Sequence, residues 1–195
     1  MAEILIAAPM RVEAALISSG ARGASVHKTG MGPARSRSAS GHLARRDAGA
    51  MLVVGFCGGL DEQSVPGEVI VAEEVFAAAD EGHAEESVRC DLAAELVDRL
   101  TGRGMKVRAG RIVCVSRLAL GERRAELHAG GAIAVDMESV WLAAGAAERP
   151  FGVVRVVLDS PSHELMRPEA VGGVMRAALA LRRVAGALRG WSPAP

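Results

Sequence analysis

Short apolar runs alternate with amphipathic stretches along most of the chain. Glu3 to Ala8 is a compact apolar run ending at Pro9, the pattern of a buried strand. Met10 to Ser18 then reads as a helix, with Gly20 and Gly23 as punctuation behind it. Ser25 to Thr29 fits a second, shorter strand, and Gly30-Met31-Gly32-Pro33 a tight turn that places proline at the first position of a helix reaching about Arg46. Met51-Leu52-Val53-Val54 is apolar without alternation, as in a central strand covered on both faces. Pro66-Gly67 predicts a type II turn, followed by a strand from Glu68 to Phe76. Asp91 to Leu100 has helical periodicity, with Asp91 in position to cap it. Lys106 to Cys114 is strand-like and Glu122 to His128 a short helix. Ala132-Ile133-Ala134-Val135 runs into Asp136, and an alanine-rich helix pattern extends from Ser139 to Ala147. Gly152 to Leu158 is a further apolar strand, interrupted only by Arg155. The last helix begins near Pro168 with one apolar stripe through Val171, Val174, Ala178, Leu181, Ala185 and Leu188.

Strands that alternate with helices predict an α/β fold: a largely parallel sheet with helices on both faces, in one domain covering residues 1–195. Ligands of such sheets sit beyond the carboxyl ends of the strands. Met10 to Glu13, Gly55 to Gly59, Asp136 to Glu138 and Asp159 all fall at such ends. That convergence is the main functional signal in the pattern.

Composition narrows the classes. With 23 acidic and 23 basic residues the formal charge is zero, and tyrosine is absent, so neither nucleic acid nor an anionic membrane is expected as partner. The 3 cysteines, Cys57, Cys90 and Cys114, are widely spaced without a CxxC, which predicts neither disulfide nor metal site. No apolar run is long enough for a membrane span and the N-terminus lacks the pattern of a signal sequence, so a cytoplasmic protein is expected. Repeats and low-complexity segments are absent, and His27, His83, His128 and His163 show no partner pattern, which fits surface positions.

Each candidate residue also has a plainer reading. Asp159 could cap or solvate the loop before Ser160-Pro161, Glu13 could be a first-turn helix charge, and Met137 could be core. Gly55, Gly58 and Gly59 allow a ligand to approach the backbone closely, but their spacing is not GxGxxG. Gly30-Met31-Gly32 opens a helix that could hold an anion, with Arg35 and Arg37 nearby. Arg155 inside an apolar strand requires a partner, most naturally a carboxylate of the site.

Four stretches in this order, Val54-Gly55-Phe56-Cys57-Gly58-Gly59-Leu60, Pro66-Gly67-Glu68-Val69-Ile70-Val71, Val135-Asp136-Met137-Glu138-Ser139 and Arg155-Val156-Val157-Leu158-Asp159, resemble the purine nucleoside phosphorylase and nucleosidase superfamily. The resemblance spans about Ile4 to Ser162 and is strongest to the branch of methylthioadenosine/S-adenosylhomocysteine nucleosidases and hopanoid-associated phosphorylases. It implies a three-layer α/β fold on a mixed, twisted sheet, a homodimer or larger homo-oligomer, and a small-molecule nucleoside substrate. No cofactor is implied beyond phosphate as a possible co-substrate. The implied reaction is cleavage of the N-glycosidic bond of an adenine nucleoside. The short segment between Leu60 and Asp136 favours a bulky 5′ substituent such as that of adenosylhopane. Methylthioadenosine or S-adenosylhomocysteine is the alternative substrate, and a silent nucleoside-binding module the alternative class.

By the same resemblance, Asp159 protonates or hydrogen-bonds N7 of the base, which requires a partly dry pocket, and Glu13 activates the nucleophile. Glu138 accepts from the ribose hydroxyls and Met137 lines the sugar. Gly55, Phe56, Cys57 and Gly58 form the loop beside the nucleophile, Arg155 and Asp136 support the site, and Ser116 and Leu118 belong to the base pocket. Two positions depart from the family pattern: Asp136 stands where many relatives carry Glu, and Phe56 where a small hydroxyl residue is common. Glu13 favours water as nucleophile, as does the lack of an arginine directly after Gly58-Gly59-Leu60. The glycine-rich turns with Arg11, Arg35 and Arg37 leave phosphate open.

Overall fold

A computed structural model describes residues 3–79, 86–164 and 170–194. Its strands are β1 (Ile4–Ala8), β2 (Ser25–Lys28), β3 (Ala50–Gly59), β4 (Val69–Ala77), β5 (Ser87–Arg89), β6 (Val107–Cys114), β7 (Ala132–Asp136) and β8 (Phe151–Asp159). Its helices are α1 (Arg11–Gly20), α2 (Pro33–Leu43), α3 (Ala93–Thr101), α4 (Glu122–Ala129), α5 (Ser139–Ala143) and α6 (Ala170–Leu188), with one 3₁₀ turn, Ala144–Ala146, behind α5.

The sheet is mixed. β2 pairs with β1, β1 with β3, β3 with β8, β4 with β6 and β6 with β7, all in parallel. Three pairings are antiparallel: β3 with β7, β4 with β8, and β4 with β5. The sheet is thus largely parallel, as strand–helix alternation predicts, and the three short antiparallel pairings make it mixed, as the resemblance implies. The pairings also close on themselves: from β3 through β7, β6, β4 and β8 the path returns to β3. Five strands thus form a barrel-like ring, and β1 and β2 extend it from β3.

Alternation along the strands divides the core. Ile4 and Ile6 of β1, Leu52 and Val54 of β3, and Val154 and Val156 of β8 face α1, α3 and α6. Leu5 and Ala7, Met51 and Val53, and Val153 and Val157 face α2 and α5. Burial on both sides is the reason these strands read as continuous apolar runs. A third, smaller cluster of Leu60, Val113, Val115, Leu127 and Val135 lies under the site.

Most expected elements form, and the differences have local causes. β3 continues to Gly59 because its glycine-rich end pairs with both β7 and β8. Pro66-Gly67 does turn the chain, with Gly67 at φ 94°. Asp91 does not cap α3: Leu92 is the N-cap, and the Asp91 carboxylate accepts instead from the Phe151 backbone N–H at 3.2 Å. The helix after Asp136 tightens to a 3₁₀ turn at Ala144. The expected start of the last helix at Pro168 lies outside the described residues. Within α6, Leu181, Ala185 and Leu188 are buried as expected, but Val171 and Val174 are exposed and Gly173 and Ala177 face inward. Among the described residues no helix is long and apolar enough to cross a membrane.

Candidate active site

The carboxyl ends of β3, β7 and β8, together with the start of α1, surround a cavity of about 220 Å³. The chain after β1 passes through buried Pro9 to Met10, and α1 begins at once, so its first turn projects Glu13 inward. Glu13 is 1% exposed. One carboxylate oxygen accepts from the Met10 N–H and the other from the Phe56 N–H, each at 2.6 Å. Burial pushes its pKa up against the opposing pull of Arg155 and the two amides. Gly55 lies immediately behind. A Cβ at that position would stand 2.5 Å from the Glu13 carboxylate and 2.8 Å from the Arg155 guanidinium, so only glycine lets β3 pass.

Arg155 is fully buried in the middle of β8 and has the carboxylate partners the sequence required. Its Nη2 stands 2.6 Å from Asp136 Oδ2 and 3.7 Å from Glu138 Oε2. The same guanidinium donates to Ser139 Oγ at 2.9 Å and to the Phe56 carbonyl at 3.3 Å. Asp136 ends β7 and accepts from the backbone N–H groups of Glu138 and Ser139, from the Ser139 hydroxyl and from the Cys114 thiol. Burial works to raise the pKa of Asp136, but Arg155 and these donors outweigh it and hold it below the usual carboxylate range. Asp136 thus organises the turn into α5 and fixes the backbone at Glu138.

Glu138 lines the cavity at 5% exposure, and its Oε1 accepts from the Gly32 N–H at 3.0 Å. Of Gly30-Met31-Gly32, expected to hold an anion at the start of α2, the Gly32 N–H is directed to the protein's own Glu138 and the Gly30 N–H to the Pro9 carbonyl. Burial raises the Glu138 pKa to about 7, with Arg155 opposing and Asp136 reinforcing the shift. Met137, Phe56, Cys57 and Gly58 line the same cavity. Burial raises the Cys57 thiol pKa far above its ordinary value, so it remains a thiol rather than a nucleophile.

Asp159 closes the cavity at the end of β8. The resemblance implies an acid here in a partly dry pocket. Asp159 is indeed 5% exposed, but its Oδ2 meets the Arg124 guanidinium at 2.6 Å. Arg124, from α4, is itself 3% exposed and was not among the expected site residues. No local signal separates it from the neighbouring Arg123; only the packing of α4 against β7 turns one arginine inward and leaves the other toward solvent.

Of the two residues expected at the base pocket, the structure brings one to the cavity. Leu118 lines the cavity mouth, whereas Ser116 is exposed and off the lining, its place taken by Val115 and Ala119. Arg11, Arg35 and Arg37 do not line the cavity, and Arg37 pairs with Glu86 at 3.6 Å. Exposed His128 and His163 and half-buried His27 are also off it, and His83 lies outside the described residues. Among the described residues no group of three His, Cys, Asp or Glu side chains stands in a metal-binding arrangement.

The model of the phosphorylase superfamily matches residues 10–186 of the sequence. No curated protein matches it significantly. Among solved structures, the 5′-methylthioadenosine/S-adenosylhomocysteine nucleosidase of Campylobacter jejuni superposes with a TM-score of 0.81 at 16% identity, covering 98% of this chain and 100% of that one. The nucleosidase of Neisseria meningitidis, in complex with methylthio-immucillin-A, gives 0.77 at 19% identity, with 98% and 100% covered. Futalosine hydrolase of Helicobacter pylori gives 0.77 at 16% identity, with 96% and 95% covered. The likeness at these identities is one of fold.

Proposed function

Because this chain belongs to the phosphorylase superfamily, we propose that its cavity cleaves the N-glycosidic bond of a purine nucleoside and releases the free base. One observation carries the reading: four buried carboxylates, Glu13, Asp136, Glu138 and Asp159, converge on a single largely apolar cavity from three separate chain segments. Breaking a sugar–base bond leaves cationic character on the sugar and negative charge on the base. Glu138 suits the sugar, since two carboxylate oxygens can accept from two neighbouring hydroxyls and their charge favours a cation. Met137 supplies an apolar, adaptable wall beside it. Asp159 faces the base and carries Arg124 with it, which brings a cation within reach of a ring that gains negative charge.

Glu13 supplies the base for the nucleophile. A carboxylate made more basic by burial is better matched to taking a proton from water near neutral pH. In the step proposed, the water oxygen bonds to C1′ and its proton passes to Glu13. The C1′–N9 electron pair leaves with the purine. Water is favoured over phosphate because Glu13 and Glu138 would repel a phosphate dianion, and Arg155, the arginine beside them, is already paired with Asp136.

The substrate proposed is an adenine nucleoside with a bulky apolar 5′ substituent, of which adenosylhopane is the example. Met31 and Leu118 support this, since they line the mouth of the cavity at 46% and 67% exposure and could meet such a group. Methylthioadenosine and S-adenosylhomocysteine form the second reading, favoured by the near-complete overlap with nucleosidases named for those substrates.

The test is to incubate the protein with methylthioadenosine, S-adenosylhomocysteine, inosine and adenosylhopane, with and without phosphate, and to chromatograph base and sugar. Base release without phosphate is expected. Release only with phosphate would reverse the choice of nucleophile, and no release from any of them would remove the enzymatic reading. Glu13→Gln is expected to lower turnover by about 10²–10⁴-fold while ligand affinity stays within a few-fold.

A further inference from the structure

Arg124 occupies the base end of the cavity, yet neither its residue type nor its position follows from the family pattern read in the sequence. Its guanidinium is anchored on three sides. Nε donates to the Ala119 carbonyl at 2.9 Å, Nη1 to the Gly59 carbonyl at 3.3 Å and Nη2 to Asp159 Oδ2 at 2.6 Å. A guanidinium has five N–H groups. Among the described residues, one hydrogen on Nη1 and one on Nη2 therefore remain without an acceptor. Asp159 Oδ1 likewise receives no hydrogen bond from the described residues, and both side chains line the cavity. The base end thus presents a spare donor beside a spare acceptor, in a group too firmly held to rotate away.

We propose that Arg124 and Asp159 act as one donor–acceptor pair that reads the edge of a 6-aminopurine: Arg124 donates to N7, and Asp159 accepts from the 6-amino group. The inference rests on the purine-nucleoside reading above and assigns the division of labour at its leaving-group end. An adenine edge offers an acceptor at N7 and a donor at N6, whereas a 6-oxopurine offers two acceptors. Adenine matches the pair at both positions. A 6-oxopurine turns its O6 toward the Asp159 carboxylate, which leaves two acceptors opposed. The same geometry serves the reaction. As the C1′–N9 bond breaks, its electron pair stays on the purine, and a guanidinium that does not give up its proton meets the charge spreading to N7. The base then takes its proton from solvent, and the proton lost by water leaves through Glu13, so protons balance over the turnover.

The experiment is calorimetric titration of free adenine, 7-deazaadenine and hypoxanthine into the wild-type protein, Arg124→Met and Arg124→Lys, with thermal unfolding to confirm folding. In the wild type, loss of N7 is expected to weaken binding about 10–100-fold, the range for a hydrogen bond to a charged group, and hypoxanthine to bind more weakly than adenine. In Arg124→Met the adenine to 7-deazaadenine ratio should fall to about one, because the protein group that senses N7 is gone. Arg124→Lys keeps a cation but loses the fork that spans Ala119, Gly59 and Asp159, so its ratio should also fall, and it decides the matter if the methionine variant does not fold.

A purely structural Arg124 would weaken adenine and 7-deazaadenine equally, so an unchanged ratio in a folded variant overturns the proposal, as does a wild type indifferent to N7. Those outcomes leave the enzymatic reading intact if base is still released from nucleosides. A wild type that binds no purine and releases none removes both.

Discussion

At Glu138, burial and the neighbouring carboxylates oppose ionisation, while Arg155 and the Gly32 amide favour it, and the balance leaves its pKa at about 7. A carboxyl raised above its ordinary 4.5 keeps a proton in the folded protein that the unfolded chain has released. Stability therefore falls as pH rises from about 4.5 to about 7. Raised Glu13 acts in the same direction, whereas lowered Asp136 acts with the opposite sign and only in stronger acid, below its ordinary 3.8. The unfolding midpoint is expected to fall between pH 5 and pH 8, and Glu138→Gln to flatten that fall; an equally steep curve in the variant would place the titration elsewhere. Ligands with a ribose should bind more tightly as pH passes through 7, because the ionised carboxylate is the better acceptor. Free adenine should not show this rise. Arg155 makes a separate case. Arg155→Met leaves Asp136 buried beside an apolar side chain and is expected to cost about 3–5 kcal/mol in denaturant unfolding. Adding Asp136→Asn should recover part of that loss, since the two groups share one interaction. Strict additivity of the two substitutions would argue against the pairing.

At the scale of the element, β3 is shaped by what passes behind it. Gly55→Ala would drive a methyl group into Glu13 and Arg155. The expected outcome is about 1–3 kcal/mol of lost stability by overpacking, with a larger loss of turnover than the stability change explains. Comparing denaturation with base release checks this; a fully stable and active variant would show that β3 has room to spare. Elements were largely legible in the sequence because their periodicity is local. Ile4 to Ala8 and Met51 to Val54 announce themselves as doubly covered strands, and they are. α6 shows where periodicity stops being informative. The apolar pattern predicts a stripe through Val171 and Val174, but the helix packs its small Gly173 against Pro66 and leaves both valines exposed. The close approach of the Pro66 ring to the helix selects the smallest residue for the inner face, and an apolar pattern cannot distinguish that from a larger side chain turned outward. Asp91 is similar: it has the type and place of a cap, yet the N–H of Phe151 is the donor it meets.

For the whole molecule, the closed path through β3, β7, β6, β4 and β8 gives five strands neighbours on both sides, whereas β2 stands at an edge. Backbone amides of β3 and β8, covered by both halves of the core, should exchange with solvent most slowly, and those of β2 much faster. Hydrogen exchange read by mass spectrometry would check the order, and equal protection of β2 and β3 would contradict it. The sequence by itself determined the succession of strands and helices, and it marked the strand ends where Glu13, Glu138 and Asp159 lie. Both follow from local periodicity and from the rarity of charge in apolar runs. It could also demand a partner for Arg155, because a buried cation needs one. Only the tertiary structure decided the partners: Phe56 for Glu13, Gly32 for Glu138, Asp136 for Arg155 and Arg124 for Asp159. Those contacts join groups from 19 to 106 positions apart. They depend on the order and direction in which strands pair, which a one-dimensional pattern of polarity does not contain.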